Sequence, residues 1–244
     1  MTADELVETI DERVHGEAVL DDPVNESLRG QHTHLARQCG RALSFAPTVA
    51  TFSAVPLDPD PRDWADLAAL LGPGVLADLF SSPATPPDDW TQVFTFPGLQ
   101  MVGGPDRLGA ATPDPDVVEL GEAEVPEMLD LVNRTRPGPF WPDTHQLGRY
   151  VGIREKGRLV AMAGERLRPP GWTEISAVCT APEARGQGLA ARLVGDVAAH
   201  VMARGDRPFL HVSAQNPSAI ALYERLGFEV RRTVTFRGYR VPAS

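Results

Sequence analysis

Val178-Cys179-Thr180-Ala181-Pro182-Glu183-Ala184-Arg185-Gly186-Gln187-Gly188-Leu189-Ala190 is the stretch on which the fold turns. Its first residues close a β-branched run, Trp172 to Thr180, that reads as a strand. After it, Leu189, Leu193, Val197 and Val201 recur at helical spacing until Gly205 ends the helix. In the turn between, Gly186 and Gly188 permit tight bending and close approach of a ligand to the backbone. The first N–H groups of the helix and the positive end of its dipole favour an anion there, and Arg185 adds a charge-assisted contact. Taken alone this is a weak signal, because a plain strand-to-helix turn can look the same.

Working outward, a strand Phe209–Ser213 follows. Asn216 then caps a helix with Pro217 at its first position and Gly227 at its end, and Phe228–Tyr239 is the final strand. Upstream, Val117–Leu120 is a short strand, and Val125, Met128, Leu129 and Val132 share one helical face before Arg136-Pro137-Gly138-Pro139 stops the helix. Tyr150–Arg154, Arg158–Leu167 and Trp172–Thr180 are antiparallel strands, separated by Lys156-Gly157 and Pro169-Pro170-Gly171. The second half therefore runs β-α-β-β-β-α-β-α-β. The first half is punctuated by proline, and Ala111-Thr112-Pro113-Asp114-Pro115 marks a domain boundary. Before it, helices are expected over Glu5–Val14, over Pro23–Cys39 and from Asp60-Pro61, where Trp64, Leu67 and Leu71 share a face; Gln92–Phe96 alternates like a strand.

Two separated blocks carry a family resemblance. The turn Arg185-Gly186-Gln187-Gly188-Leu189-Ala190 resembles the pyrophosphate loop of the GNAT superfamily of N-acetyltransferases, Gln/Arg-x-x-Gly-x-Gly/Ala. The block Asn216-Pro217-x-Ala219-x-x-Leu222-Tyr223-x-x-Leu226-Gly227-Phe228 is similar to that superfamily's second conserved block, at the expected separation. The resemblance covers about residues 115–240 and implies an α/β (α+β) fold with a mixed, mostly antiparallel sheet flanked by helices. It is closest to the branch with tandem GNAT halves: a degenerate GNAT-like lobe over 1–112 and a catalytic N-acetyltransferase domain over 113–244.

The resemblance implies that acetyl-CoA is the cosubstrate, with its pantetheine arm along Val178, Cys179 and Thr180 and its pyrophosphate against Arg185, Gly186, Gln187, Gly188, Leu189 and Ala190. An extended thioester arm needs main-chain partners along a strand edge, as in β-strand addition. The Val178 N–H is available for an oxyanion. Asn216 and Tyr223 lie beside the implied cofactor, and Tyr223 matches the tyrosine that protonates the departing thiolate; a plain core tyrosine is the competing reading. Glu174, which alternation puts on one face with Ser176 and Val178, is the candidate base, with Glu165 the competitor and a water-mediated route the alternative. Phe140-Trp141 falls where acceptor loops lie.

Composition restricts the rest. A net charge of −10 and a pI near 5.1 argue against nucleic acid as a partner. No apolar run reaches the roughly 18 residues of a membrane span, and the acidic N-terminus does not read as a secretory signal, so a cytoplasmic protein is expected. Cys39 and Cys179 form no metal-spaced cluster, and His32-Thr33-His34 reads as a solvated pair; no metal is expected. The expected activity is that of an acyltransferase moving a group other than an aminoacyl group to an unidentified primary amine. The alternative is a non-catalytic acyl-CoA-binding regulatory module.

Overall fold

A computed structural model of the chain describes residues 16–104, 108 and 114–243. The helix expected over Glu5–Val14 and the boundary between 112 and 113 lie outside these residues. The first half carries helix α1 (Pro23–Arg29), strands β1 (Ala36–Cys39), β2 (Ala42–Phe45) and β3 (Ser53–Ala54), helix α2 (Pro61–Leu71) and strands β4 (Leu76–Asp78) and β5 (Thr91–Val102). The second carries β6 (Val117–Leu120), α3 (Val125–Thr135), β7 (Tyr150–Glu155), β8 (Arg158–Glu165), β9 (Trp172–Thr180), α4 (Leu189–Ala203), β10 (Arg207–Ser213), α5 (Pro217–Arg225) and β11 (Glu229–Arg240). This is the β-α-β-β-β-α-β-α-β order read from the sequence.

Local chemistry sets several boundaries. At α2 the Asp60 side chain accepts from the Arg62 and Asp63 N–H groups, and Asp63 returns a bond to the Asp60 N–H, so Pro61 opens the helix at no cost in hydrogen bonding. Trp64 and Leu67 are buried on its inner face. Helix α3 ends at Arg136, in the left-handed region at φ 50°, directly before Pro137. The helix expected over Pro23–Cys39 is corrected: it stops at Arg29, and Ala36–Cys39 instead pairs with Ala42–Phe45 in a three-stranded antiparallel sheet. That strand has a partner close in sequence, and pairing overrides helical propensity.

The larger sheet has eight strands in the order β4-β11-β5-β10-β9-β8-β7-β6. All neighbours are antiparallel except β9 and β10. The second half does not complete this sheet by itself. Strand β5, from the first half, lies between β10 and β11 and pairs with both through Gly98–Val102. Helix α4 covers β7–β10, burying Leu189, Leu193, Val194, Val197, Ala198 and Val201. Elsewhere Leu20, Val24, Leu28, Phe45 and Phe52 of the first half pack with Leu147, Leu167, Trp172 and Phe209 of the second.

A buried hydrogen-bond relay also joins the halves. The Arg168 N–H donates to Ser27 Oγ (2.8 Å), the Ser27 hydroxyl donates to His32 Nδ1 (2.7 Å), and His32 Nε2–H donates to the Leu147 carbonyl (2.9 Å). His32 is thus not one of a solvated pair; it is 2% exposed. Burial lowers its pKa to about 4, so it is neutral when folded. An unfolded chain, with an ordinary histidine value near 6.5, binds this proton first, so the relay's stabilisation is complete above pH ~6.5 and lost as pH falls toward 4. Chemical denaturation should show it: relative to His32→Asn, the parent should lose up to about 3 kcal/mol between pH 6.5 and 4. Parallel pH profiles in the two proteins would contradict the assignment. The comparison cancels Asp22, whose carboxyl burial pushes up to about 7 and which both proteins retain.

Candidate active site

Strands β9 and β10 run side by side for three residues and then part. Trp172, Thr173 and Glu174 pair with Arg207, Pro208 and Phe209; beyond that, Leu210–Ser213 of β10 keeps only its pairing with β5 on the opposite edge. At the divergence β9 bulges. Its register against β8 shifts by one residue between Gly164↔Ser176 and Met162↔Cys179, and Ala177 adopts φ 53°. Among the described residues the edge of β9 over Val178–Thr180 has no strand paired to it on the β10 side, which leaves main-chain groups facing the gap between the parted strands. The bulge also corrects the expected alternation: Glu174 and Ser176 share a face, but the extra residue turns Val178 away from them.

The turn after β9 is built for an anion at its open end. Gly186 and Gly188 have φ of 80° and 77°, and a Cβ at either would meet open space. Gly188 is the N-cap of the 15-residue helix α4, with no side chain capping it, so the first-turn N–H groups stay available. Exposed Arg185 donates from Nε to the Thr180 carbonyl (3.3 Å), tying the turn to the end of β9. Cys179 is buried and its thiol is pushed up to about 11 by burial, so at neutral pH it offers the cleft its backbone rather than a thiolate.

Asn216 is the cap expected of it: its Oδ1 accepts from the Ala219 N–H (3.1 Å) and the Ser218 hydroxyl (2.9 Å). Two turns on, Tyr223 packs edge-on to Phe228, ring centroids 6.1 Å apart, and burial pushes its phenol up to about 12. A phenol in that state holds its proton at neutral pH and can donate it.

Glu174 stands where a base was sought, but its surroundings revise that role. Oε2 accepts from Arg166 Nε (2.7 Å), and Oε1 accepts from another guanidinium N–H of Arg166 (2.6 Å) and from His211 Nδ1–H (2.7 Å). Burial alone would raise its pKa, but Arg166 and then His211 outweigh burial and hold it well below the usual carboxylate range. A carboxylate with its lone pairs so engaged is a weak proton acceptor. His211 is equally committed: its Nε2 lies 3.2 Å from Gln100 Nε2, and burial keeps the ring neutral. The competitor Glu165 is buried and paired with Arg204 (2.8 Å). Arg166 escaped the sequence reading, because its meaning depends on facing Glu174 across two strands. Its guanidinium lies over Phe52 (5.1 Å) and Phe80 (4.6 Å) of the first half. It also lines a small pocket with Pro137, Gly138, Pro139, Phe140, Ser176 and Ala177, beside the bulge. Phe140 therefore reaches the site; Trp141 is 38% exposed beyond it.

A GNAT-family protein from Novosphingobium aromaticivorans has a crystal structure 43% identical in sequence, superposing with a TM-score of 0.82 over 91% of this chain and 97% of that one. The chain belongs to the GNAT family. A family model described as FR47-like protein matches residues 150–237. The N-alpha-acetyltransferase RimI of Mycobacterium tuberculosis is 38% identical over 95 residues, 38% of this chain and 58% of that protein, so less than two thirds of that relative is spanned. A GCN5-related N-acetyltransferase from Kribbella flavida shares the fold at 20% identity, with a TM-score of 0.59 over 90% of this chain and 95% of that one. The mixed, mostly antiparallel sheet flanked by helices is thus a GNAT sheet. Among the described residues no helix is long and apolar enough to cross a membrane.

Proposed function

We propose that the chain is an N-acetyltransferase that moves the acetyl group of acetyl-CoA to a primary amine within a ternary complex. The observation that carries this reading is the parting of β9 and β10 at the Ala177 bulge, next to an uncapped helix start behind two left-handed glycines. An extended pantetheine arm fits an unpaired strand edge, and a pyrophosphate fits free helical N–H groups. In this reading the arm lies along Val178, Cys179 and Thr180, and Arg185 through Ala190 hold the pyrophosphate, with Asn216 and Tyr223 alongside. The amine nitrogen attacks the thioester carbon, a C–N bond forms, and the Val178 N–H receives the developing oxyanion. The C–S bond then breaks, and the thiolate takes the Tyr223 proton. With Glu174 saturated by Arg166 and His211, the amine's proton leaves to water. Residues 113–244 carry these groups. Residues 1–112, the degenerate half in this reading, cover the acceptor side through Phe52 and Phe80. The cytoplasm is the compartment we propose, in keeping with two free cysteines.

The test is CoA release with a panel of amines: an alanine-initiated tetrapeptide, a lysine tetrapeptide with a blocked N-terminus, and spermidine. The N-alpha-acetyltransferase relative makes the first the leading candidate. Tyr223→Phe should keep acetyl-CoA affinity within about twofold and lower kcat by about 10²-fold or more, the usual scale of lost acid catalysis. Equal turnover would remove Tyr223 from the mechanism. A parent that binds acetyl-CoA and acetylates no member of the panel would favour a regulatory acyl-CoA-binding module.

A further inference from the structure

Arg166 stands just past the end of β8, opposite Glu174 on β9. Its backbone N–H donates to the Glu174 carbonyl (2.9 Å), and the same register runs on through Glu165↔Ile175 to Gly164↔Ser176. Opposed residues share a face, so Arg166 and Ser176 are diagonal neighbours on one face, roughly 7 Å apart and within reach of a long side chain. Both are walls of the pocket beside the bulge, together with Ala177 and the turn 137–140. That pocket is about 20 Å³, room for a single water-sized group.

Each of these two polar walls has a hydrogen left to donate. Arg166 uses Nε and Nη2 on Glu174, and the rings of Phe52 and Phe80 lie against its guanidinium. Its Nη1 donates to no acceptor among the described residues and is not sealed from solvent. The Ser176 hydroxyl is in the same state, partly exposed and without a partner among the described residues. The guanidinium is also fixed in place. Gln100 Nε2 donates to His211 Nε2 (3.2 Å), which leaves the His211 proton on Nδ1 for Glu174 (2.7 Å), and Glu174 grips Arg166 through two nitrogens. A buried ion pair adds little stability of its own. A rigid donor at a pocket wall is what this one provides.

We infer that this pocket is an oxygen subsite for the acceptor: Arg166 Nη1 and Ser176 Oγ donate to a carbonyl oxygen on the carbon next to the one bearing the amine, while the nitrogen faces the thioester at the bulge. The inference rests on the acyl-transfer reading above and narrows its acceptor. Two donors around room for one group fit an oxygen and nothing larger. Because Ala177 of the bulge is a wall of the same pocket, that oxygen belongs to the same end of the acceptor as the reacting amine. It is the oxygen of a neutral amide rather than of a carboxylate, since Glu174 already matches the charge of Arg166 and a second anion would be repelled by the first. The class is therefore an α-amino amide, such as the first residue of a peptide. Spermidine and a lysine side chain carry no carbonyl at that place.

Alaninamide and isopropylamine, which differ in that carbonyl group, test this with the full-length chain and acetyl-CoA. Compared as free bases, alaninamide should have a kcat/KM about 10-fold or more above that of isopropylamine. Arg166→Lys keeps a charge for Glu174 but loses the fork of nitrogens; it should lower kcat/KM about 10- to 100-fold for alaninamide and no more than about threefold for isopropylamine. The loss should appear in KM rather than kcat, because the bond is made on binding and kept through the reaction. Ser176→Ala should repeat the pattern at about 3- to 10-fold. Acetyl-CoA affinity, by calorimetry, should stay within about twofold in both. If Arg166→Lys melts well below the parent, Arg166→Met combined with Glu174→Gln removes both charges together and carries the test in its place. Equal losses for the two amines, or a loss confined to kcat, would put Arg166 on the acetyl group or the scaffold and overturn the inference. A parent indifferent to the carbonyl would overturn it as well. A parent that acetylates no amine is a separate result, visible without any variant; it would fell the acyl-transfer reading and this inference with it.

Discussion

Gly188→Glu should abolish acetyl-CoA binding, with calorimetry showing an affinity at least about 100-fold below that of the parent. Two effects add. Position 188 sits at φ 77°, which costs a side-chain-bearing residue about 1–2 kcal/mol, so closing the turn onto a phosphate is strained. The larger effect is competition. The first-turn N–H groups of Leu189–Ala203 have no capping side chain, and a carboxylate at 188 can take them as an N-cap, repelling the pyrophosphate from the same donors. The fold should survive, since a Cβ at 188 meets open space and an acidic group suits a helix start. Gly188→Ala separates the terms: it carries the strain without the charge and should lose about tenfold or less. A folded Gly188→Glu protein with parental affinity would mean the cofactor is held elsewhere.

A chain beginning at Pro115 should fail to fold. A self-contained second half would melt cooperatively and keep the acetyl-CoA turn. The sheet argues otherwise, because β5 (Thr91–Val102) lies between β10 and β11 and hydrogen-bonds to both. Removing it strips the ladder partners from two strands and exposes the core around Met101 and Phe228. The loss involves a central strand and so exceeds the typical stability of a whole domain, about 5–15 kcal/mol. Circular dichroism and thermal melting give the readout: no cooperative transition is expected, and a sharp one would show that the second half stands alone. The sheet thus takes strands from both sides of the boundary expected near residue 112.

These two cases differ in how much of each was legible. The turn at Arg185–Ala190 was readable because its signals are short-range: glycines for left-handed backbone, a helical period starting at Leu189, a strand ending at Thr180. Strand β5 was half readable. Gln92–Phe96 alternates openly, but Gly98–Val102, the part that enters the sheet's middle, has Gln100 fully buried and donating to the Leu20 carbonyl, which no local pattern announces. Glu174 and Glu165 could be placed on strands, yet their roles followed from which arginine each meets. That depends on a register altered by the bulge and on a helix end that brings Arg204 back to the sheet. The bulge itself left no mark, because its left-handed residue is Ala177 rather than glycine.

By itself, then, the sequence determined the order of elements in the second half, the caps at Asp60 and Asn216 and the glycine turn at the head of Leu189–Ala203. All of these rest on interactions within a few residues of chain. The tertiary structure alone decided that β5 crosses from one half to the other, that Glu174 is held by Arg166 and His211, and that the Tyr150 ring lies over Gly164. Those outcomes depend on strand register between segments far apart in sequence. One residue of slip reverses which face a side chain occupies, and no local periodicity records it.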